Sequence, residues 1–380
     1  MSRVHVWTYP WDVAAWGIER TADMLAGLGV DGVSLAVSYH AGQILSLAGD
    51  TPRLIFPPAG VPLWRCPPEG LPGPLAGVAW QGWLERLSAA LTARDIALRA
   101  WAVTQHDAEG RPVVNAFGQA VPHALCPLAN ADRLDTLARE LRAQGVFAAA
   151  EMEATGGVPA FHGGHHDIAG AALTPLWQVA LGTCTCGACR AGAQADGVDV
   201  DDAVRTLSDL AVRLSQREAP PVDPLAELDA ALAAAPSLGA YLASRARRAR
   251  GAVDAAQAAF GGRLAIVGVG HASVARWPAL AGMDAAPPAA GVDEEIVPLA
   301  YGAIDASVAD VRRLLDRGWT AERLVAGITL IEAATPDLDA ALSRLGALRG
   351  AGVRRISLYN LGILPPARRA WIARMADAMR

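Results

Sequence analysis

The chain has 380 residues and a formal net charge of −5, and hydrophobic residues make up 52% of it. A mildly acidic chain of this size gives no reason to expect a nucleic acid or an anionic membrane as partner. No apolar run approaches the roughly 20 residues of a membrane span, and the first residues lack the apolar stretch of a secretory signal. We therefore expect a soluble cytoplasmic protein, and a homo-oligomer is compatible with this composition.

Short apolar runs alternate with segments of helical periodicity along the whole chain. Strands are predicted at 4–9, 33–39, 96–103, 146–153, 264–269, 295–300, 325–331 and 355–358. Helices are predicted at 18–28, 80–93, 132–144, 200–214, 225–260, 308–315 and 338–348. Eight strands separated by helices indicate a parallel sheet, and eight is the number that closes an α/β barrel of the TIM type, (β/α)8.

Long connections follow the second, third and fourth predicted strands. The first two, 41–77 and 109–127, are too long for ordinary connections, so we expect functional loops over one end of the barrel. We predict a single barrel over residues 1–380, with 190–262 as a mostly helical insertion between strands four and five. The alternative is a doubly wound open sheet, but the first strand lacks a glycine-rich turn into its helix.

Polar and aromatic side chains collect at the carboxyl ends of these strands, where barrels of this type carry their active sites. Aromatic rings suit the apolar faces of sugars, so a small carbohydrate or glycoside is the expected ligand. The candidate substrate-binding residues are Trp7, Tyr9, Tyr39, His40, His106, Asp107, His162, His165, His166, His271, Tyr301, Tyr359 and Asn360.

Three histidines of the loop after strand four admit more than one interpretation. His162, His165 and His166 stand beside Asp167, and three imidazoles with a carboxylate suit a catalytic divalent ion. They suit contacts with sugar hydroxyls equally well. A solvated histidine-rich loop, or one that caps the following helix, is the third interpretation.

Three cysteines, Cys184, Cys186 and Cys189, fall within six residues of each other. Tetrahedral zinc takes four ligands, and Cys126, in the loop after strand three, is the best fourth. Cys66 and the loop histidines compete for that place, and buried free thiols are the alternative to a metal site. We predict a structural zinc, because a zinc ion with four protein ligands has no open position.

Three carboxylates are candidates for catalysis. Glu151 and Glu153 are two residues apart on strand four and should face the same side of it, and Glu332 follows strand seven. A close like charge raises the pKa of a carboxyl group, so one of the strand-four pair could set the pKa of the other. For Glu151 the alternative is a buried salt bridge to an arginine inside the barrel.

The segment 115–190, about a fifth of the chain, resembles the zinc-bearing beta-galactosidases of glycoside hydrolase family 42, and still more closely a group of uncharacterised bacterial glycosidase-like barrels. The resemblance to family 42 is carried by Asn115-Ala116-Phe117-Gly118, Cys126-Pro127, Glu153 and the Cys184, Cys186, Cys189 pattern. The second resemblance is carried by the pair Glu151 and Glu153, the stretch Phe161-His162-Gly163-Gly164-His165-His166 and the same cysteines. It implies a retaining mechanism, with Glu153 as the acid/base and Glu332 as the nucleophile. The chain departs from the family in having Met152 where the family has an asparagine that grips the sugar 2-hydroxyl.

The predicted function is hydrolysis or transfer at a glycosidic bond of a small sugar-bearing substrate. One alternative is a metal-dependent sugar isomerase, epimerase or lyase that uses Glu151, Glu153 and the histidine loop. Another is a non-catalytic sugar-binding barrel. The metal content of the protein distinguishes a metal-dependent enzyme from the predicted glycosidase. Turnover of a panel of glycosides distinguishes a catalytic barrel from one that only binds sugar.

Overall fold

The structure, a computed structural model, describes residues 3–57, 60, 62–63, 82–107, 109–156, 172–268, 286–289 and 291–380. Its centre is a parallel sheet of eight strands, as the sequence predicts. The strands are β1 (Val4–Thr8), β2 (Gly32–Ser38), β3 (Ala97–Val103), β4 (Ala149–Glu153), β5 (Arg263–Val267), β6 (Glu294–Val297), β7 (Ala326–Thr329) and β8 (Ile356–Tyr359). Among the described helices, none is both long and apolar enough to cross a bilayer.

The sheet closes on itself between β6 and β7. Each of the other strands pairs with its neighbour in the chain, and β1 also pairs with β8. Backbone N–H groups of Val325 and Gly327 donate to the carbonyls of Ile296 and Pro298, at 2.9 and 2.8 Å. These bonds join the last open edge, and the eight strands therefore form a (β/α)8 TIM barrel.

Successive side chains along each strand point alternately into the barrel and out towards the helices. On β1, Val4 and Val6 point outwards into the apolar layer beneath the helices. Trp7 points inwards, into a second apolar cluster at the carboxyl ends of the strands. Both faces of β1 are buried, which is why its sequence reads as a nearly continuous apolar run.

Helices cover the outside of the barrel and fill the connection between β4 and β5. They are α1 (Pro10–Trp16), α2 (Ile18–Gly27), α3 (Trp83–Thr92), α4 (Ala131–Gln144), α5 (Pro175–Gly182), α6 (Gly187–Ala195), α7 (Val200–Ser215), α8 (Pro224–Ala234), α9 (Pro236–Phe260), α10 (Ile304–Asp316), α11 (Leu338–Gly350) and α12 (Pro366–Met379). A single 3₁₀ turn, Leu361–Ile363, follows β8.

The connection between β4 and β5 has its own small core, built from α5, α7, α8 and α9. Its last helix, α9, lies along α4, where Arg142 donates to the carbonyl of Phe260 at 2.6 Å. Thus α9 occupies the place of the barrel helix that precedes β5. The bounds of the insertion, 190–262, stay a prediction.

Some elements differ from the predicted ones. The helix predicted at 225–260 is two helices, because Pro236 lacks an N–H and begins α9 at its first position. Helices α1, α5, α6 and α12 were not predicted. Each of the first two long loops contains a hairpin: the mouth hairpin, Ile44–Ser46 with Arg53–Ile55, and a second one, Pro112–Val114 with Ala120–Leu125.

Candidate functional site

The floor of the barrel mouth is a buried network of charges around Glu151. One carboxylate oxygen accepts hydrogen bonds from Ser34 Oγ at 2.6 Å and from Arg99 Nε at 2.7 Å. The other accepts one from Trp7 Nε1 at 2.7 Å. Glu151 is 1% exposed, so both oxygens are engaged away from solvent.

Arg99 carries this network across the barrel. Its Nη2 donates to Glu295 Oε2 at 2.7 Å, and Arg355 donates to the other oxygen of Glu295. Burial opposes ionisation of Glu295, but the two guanidinium groups hold its pKa below the usual value. The carboxylates of Glu151 and Glu295 are thus paired with Arg99 and Arg355 inside the barrel. The four residues come from β4, β6, β3 and the position just before β8, in that order.

Glu153 lies two residues farther along β4, on the same face. It is only partly buried, and Trp101 Nε1 donates to its Oε2 at 2.8 Å. Burial raises the pKa of the Glu153 carboxyl group above its usual value, and the charge of Glu151 adds to the effect. A carboxyl group with a raised pKa and access to solvent is able to donate a proton near neutral pH.

Three tyrosines from three strand ends form a hydroxyl cluster beside Glu153. The Tyr9 hydroxyl lies 3.1 Å from that of Tyr39 and 2.9 Å from that of Tyr359. Burial raises the pKa of all three phenols, and Tyr301 behaves in the same way. These hydroxyl groups are therefore neutral hydrogen-bonding groups rather than phenolate nucleophiles.

Rings pack tightly below this cluster. Trp101 stands within 6.1 Å, measured between ring centroids, of Trp7, Tyr9, Tyr39 and Tyr359. Trp7 is 1% exposed and uses its Nε1 on Glu151. It therefore supports the floor, while Tyr359 and Tyr301 are the predicted aromatic residues that remain partly accessible.

The predicted polar residues at the ends of β2, β3 and β8 have different surroundings. His40, partly exposed, stacks on Tyr39 with 4.2 Å between ring centroids, and burial lowers its pKa. His106 is buried, with its ring 4.9 Å from that of His40. Asp107 pairs with Arg133 of α4.

Asn360 is fully buried beside the mouth. Its Oδ1 accepts a hydrogen bond from Gly362 N at 3.2 Å, so it shapes the 3₁₀ turn after β8. The predicted residues His162, His165, His166 and His271 lie outside the described residues.

Glu332 is exposed in the turn after β7. It lines a cleft of about 610 Å³ whose floor includes Tyr9, Tyr39 and Tyr359. Inside the barrel, the position at the end of β7 belongs to Thr329, whose Oγ1 accepts a hydrogen bond from Ile331 N at 3.2 Å. The structure thus puts Glu332 on the rim of the cleft and Glu153 inside the mouth.

Four cysteines come together next to the barrel. Cys126 directly follows the second hairpin, and the other three lie in or just before α6. Cys126 Sγ lies 3.4 Å from Cys189 Sγ and 3.7 Å from Cys186 Sγ. With Cys184, all four sulfur atoms lie within 4.8 Å of one another. Cys126 is therefore the fourth member of the group, as expected, and Cys66 lies outside the described residues.

This thiol group fits a tetrahedral zinc ion. Zinc–sulfur bonds of about 2.3 Å place the sulfur atoms of a tetrahedral site roughly 3.8 Å apart, close to the spacing here. Arg245, 4% exposed, directs Nε at Cys189 Sγ over 3.5 Å. Four thiolates around Zn²⁺ carry a net charge of −2, and a buried guanidinium group needs a negative partner of this kind.

The sequence analysis missed one carboxyl group at the mouth, that of Asp12 in α1. Asp12 is fully buried, with Ser46 Oγ donating to its Oδ1 at 2.6 Å and Tyr9 N to its Oδ2 at 3.3 Å. Burial raises the pKa of Asp12 to about 7. A carboxylate three residues after an apolar strand, in Tyr9-Pro10-Trp11-Asp12, was the available signal.

No protein-family model matches the chain. No curated protein sequence matches it either. Among solved structures, it is similar to a beta-galactosidase from the haloarchaeon Halorubrum lacusprofundi, with a TM-score of 0.52 and 12% identity, over 99% of this chain and 57% of that one. A beta-galactosidase from Marinomonas ef1 gives a TM-score of 0.51 and 12% identity, over 98% of this chain and 58% of that one. The chain spans little more than half of these two proteins, and what it shares with them is the fold.

Proposed function

We propose that the protein cleaves or transfers at a glycosidic bond of a small sugar-bearing substrate, with Glu153 as the acid/base. The observation that carries this proposal is the contrast on β4, where Glu151 is sealed in the floor and Glu153, whose pKa is raised by burial, is partly accessible at the mouth. Cleavage of a glycosidic bond needs a carboxyl group that protonates the leaving oxygen. The fold is shared with two beta-galactosidases, so glycosides are the first substrates to test.

The first step under this proposal is proton transfer from Glu153 to the glycosidic oxygen. Trp101 fixes one oxygen of the carboxyl group, so the other is free to carry the proton. Burial, with a further contribution from the charge of Glu151, favours the protonated form of Glu153 until the leaving oxygen becomes more basic in the transition state. Glu151 therefore acts through Glu153, as a positioning residue, rather than on the substrate.

The second carboxylate is Glu332, the predicted nucleophile. Its turn is fixed from below by Arg368, whose Nη1 donates to the carbonyls of Leu330 and Thr335 at 2.9 and 2.6 Å. This clamp supports a defined position for Glu332 on the rim of the cleft. Attack on the anomeric carbon requires the two carboxyl groups to stand about 5–5.5 Å apart, with the sugar between them.

The sugar ring is assigned to the inner end of the cleft, at the cluster of Tyr9, Tyr39 and Tyr359 beside Glu153. Neutral phenols both donate and accept hydrogen bonds, as sugar hydroxyls do. Tyr301, with its ring 6.1 Å from that of Tyr359, extends this aromatic surface. The bond to be broken would then lie beside Glu153.

The four-cysteine group is proposed to hold a structural zinc ion. A zinc ion with four thiolate ligands has no open position, and would supply a cross-link rather than chemistry. Cys126 comes from the segment that follows the second hairpin, and Cys189 lies in α6. Zinc would therefore tie the loop after β3 to the helices that follow β4, next to the mouth.

Turnover of α- and β-glycosides by the wild-type protein and by Glu153→Gln tests this function. The comparison uses 4-nitrophenyl glycosides and alkyl glycosides of the same sugars. Nitrophenolate leaves without a proton, so kcat/KM of the variant should fall about 10²–10⁴-fold on alkyl glycosides and much less on nitrophenyl ones. Glu85→Gln, on the exposed first turn of α3, is the control and should match the wild type.

Other outcomes would support the rival functions. Sugar binding without turnover of any glycoside would point to a non-catalytic sugar-binding barrel. Isomerised or eliminated products, lost on treatment with a chelator and restored by a divalent ion, would point to a metal-dependent isomerase, epimerase or lyase. An equal loss on both substrate types in Glu153→Gln would contradict the role of Glu153 as an acid.

A further inference from the structure

The cleft that begins at the tyrosine cluster changes character as it leaves the barrel mouth. Its inner end carries the hydroxyl groups of Tyr9, Tyr39 and Tyr359. Its outer walls are aliphatic on both sides. They are formed by Ile44, Leu45 and Leu47 from the mouth hairpin and its continuation, and by Ile331, Ile363 and Leu364 from the segments after β7 and β8.

The outer walls are held in place rather than left to collapse. Ser46 donates to Asp12 at 2.6 Å, and Leu47 N donates to the carbonyl of Gly362 at 2.7 Å. These bonds attach the mouth hairpin to α1 and to the 3₁₀ turn. Across the cleft, the Arg368 clamp fixes the turn that carries Ile331.

Aliphatic side chains remain exposed on these fixed walls. Leu45 is 52% exposed and Ile331 is 36% exposed, although both line the cleft. Exposure of large aliphatic groups on ordered walls of a concave site is typical of a surface that an apolar ligand covers. The polar inner end and the aliphatic outer end together match a molecule with one polar and one apolar part.

Charge restricts the apolar part further. Among the described residues that line the cleft, the ionised side chains are those of Glu332 and Arg368. Arg368 spends its N–H groups on the carbonyls of Leu330, Thr335 and Pro336. Burial lowers the pKa of His40, so its ring is neutral. Glu332 is exposed on the rim, and an anionic ligand would lose its hydration against the aliphatic walls without gaining a charged partner between them.

We propose that the substrate is a glycoside whose aglycone is neutral and apolar, an alkyl or aryl group seated between Leu45 and Ile331. This inference rests on the proposed function, because it takes the sugar to be at the tyrosine end. It adds the class of the leaving group, which the barrel alone does not define. The same walls disfavour a phosphorylated or carboxylated aglycone.

Binding of uncleavable thioglycosides tests the inference without relying on catalysis. Methyl and n-hexyl 1-thio-β-D-galactosides, and the matching glucosides, are titrated calorimetrically into the full-length protein. We expect the hexyl compound of the preferred sugar to bind at least about 30-fold more tightly than the methyl one. This ratio corresponds to roughly half of the free energy gained when five methylene groups are transferred from water to an apolar site. The 4-carboxyphenyl thioglycoside should bind more weakly than the phenyl one.

The mouth hairpin supplies a matched pair of variants. Leu45 and Leu54 are paired across its two strands and are 52% and 56% exposed, but of the two Leu45 lines the cleft. Leu45→Ser should remove at least about tenfold of the hexyl preference. Leu54→Ser should leave it unchanged and shows that the hairpin tolerates the substitution.

The outcomes separate the inference from the proposed function. Equal binding of methyl and hexyl thioglycosides would overturn the apolar aglycone and leave the sugar site standing. Equal effects of the two serine variants would also overturn it. Binding of hexanol with no contribution from any sugar, or no binding at all, would overturn the proposed function and the inference together.

Discussion

Glu151 and Glu153 lie on the same face of one strand, yet their carboxyl groups have opposite surroundings. Glu151 receives three hydrogen bonds inside the barrel, two of them from Ser34 and Arg99. Glu153 receives one side-chain hydrogen bond, from Trp101, and remains partly accessible. Burial raises the pKa of the Glu153 carboxyl group, and the nearby charge of Glu151 adds to this effect.

This relationship predicts a shift of the pH profile in Glu151→Gln. Removal of the lower charge should lower the pKa of Glu153, because Glu151 contributes to raising it. A general acid works while protonated, so activity falls as the pH rises through its pKa. The alkaline limb of kcat/KM for an alkyl glycoside should therefore move to lower pH, with turnover retained at the acid end.

The control for that experiment is Asp135→Asn, which removes a partly exposed carboxylate of α4 and should leave the alkaline limb of the pH profile in place. If Glu151→Gln abolished turnover at every pH while the protein stayed folded, Glu151 would act directly on the substrate. That result would restore the catalytic role that the sequence suggested for it.

Arg99→Met should destabilise the fold strongly. Arg99 is 3% exposed and pairs with Glu151 and Glu295, so its loss leaves buried carboxylates without part of their compensation. Breaking a buried pair in this way costs about 3–5 kcal/mol. Urea denaturation followed by circular dichroism measures the change.

Arg139→Met is the matched control, because Arg139 pairs with Asp135 on the surface of α4 and its side chain is 68% exposed. Surface pairs contribute about 0–1 kcal/mol. A loss in Arg99→Met no larger than in Arg139→Met would mean that the network inside the barrel adds little to stability.

The barrel and its strand ends could be predicted because the signals are local. Apolar runs bounded by glycine and polar residues marked all eight strands, and a spacing of two placed Glu151 and Glu153 on one face. The cysteine pattern is local as well, and Cys126 could be added because neighbouring strands carry neighbouring loops. These predictions needed no knowledge of distant pairs.

The partners of the polar groups could not be predicted in the same way. Arg99 is 52 residues from Glu151 in the chain and 196 from Glu295, and no periodicity links them. Asp12 escaped notice because its partner, Ser46, belongs to a hairpin inside a loop that carried no strand signal. Long-range pairing of this kind is decided by closure of the barrel, which the strand pattern does not encode.

The zinc proposal predicts a dependence on Arg245. Arg245→Leu removes the buried positive charge beside Cys189 and should weaken zinc binding about 10–100-fold, the usual effect of losing a group that supports metal ligands. The measurement is zinc transfer to a colorimetric chelator at increasing concentration. Arg248→Leu, on the same helix but 39% exposed and paired with Asp196, should retain zinc as the wild type does.

Metal content gives the direct check on the same site. The purified protein should contain one zinc per chain, and Cys126→Ser should lower that content and the melting temperature together. A protein purified in the presence of zinc that contains none would contradict the zinc site. Equal zinc affinity in the two arginine variants would contradict only the role of Arg245.

Asp12→Asn should change how stability depends on pH. Burial raises the pKa of Asp12 from 3.8 to about 7, so the fold favours the protonated carboxyl group. This preference contributes its full stabilisation below the pKa that Asp12 has in the unfolded chain. The stabilisation is lost as the pH rises through the pKa of Asp12 in the folded protein. Each pKa unit is worth about 1.4 kcal/mol, which makes about 4 kcal/mol the upper bound of the loss.

Asparagine keeps an oxygen for Ser46 and does not ionise. Relative to the wild type, Asp12→Asn should therefore gain free energy of unfolding as the pH rises from 5 to 8. Urea denaturation at several pH values measures this difference. Asp23→Asn, which removes an exposed carboxylate of α2, is the control and should show no such trend. Parallel curves for wild type and Asp12→Asn over this range would mean that Asp12 is ionised throughout, with its charge compensated inside the fold.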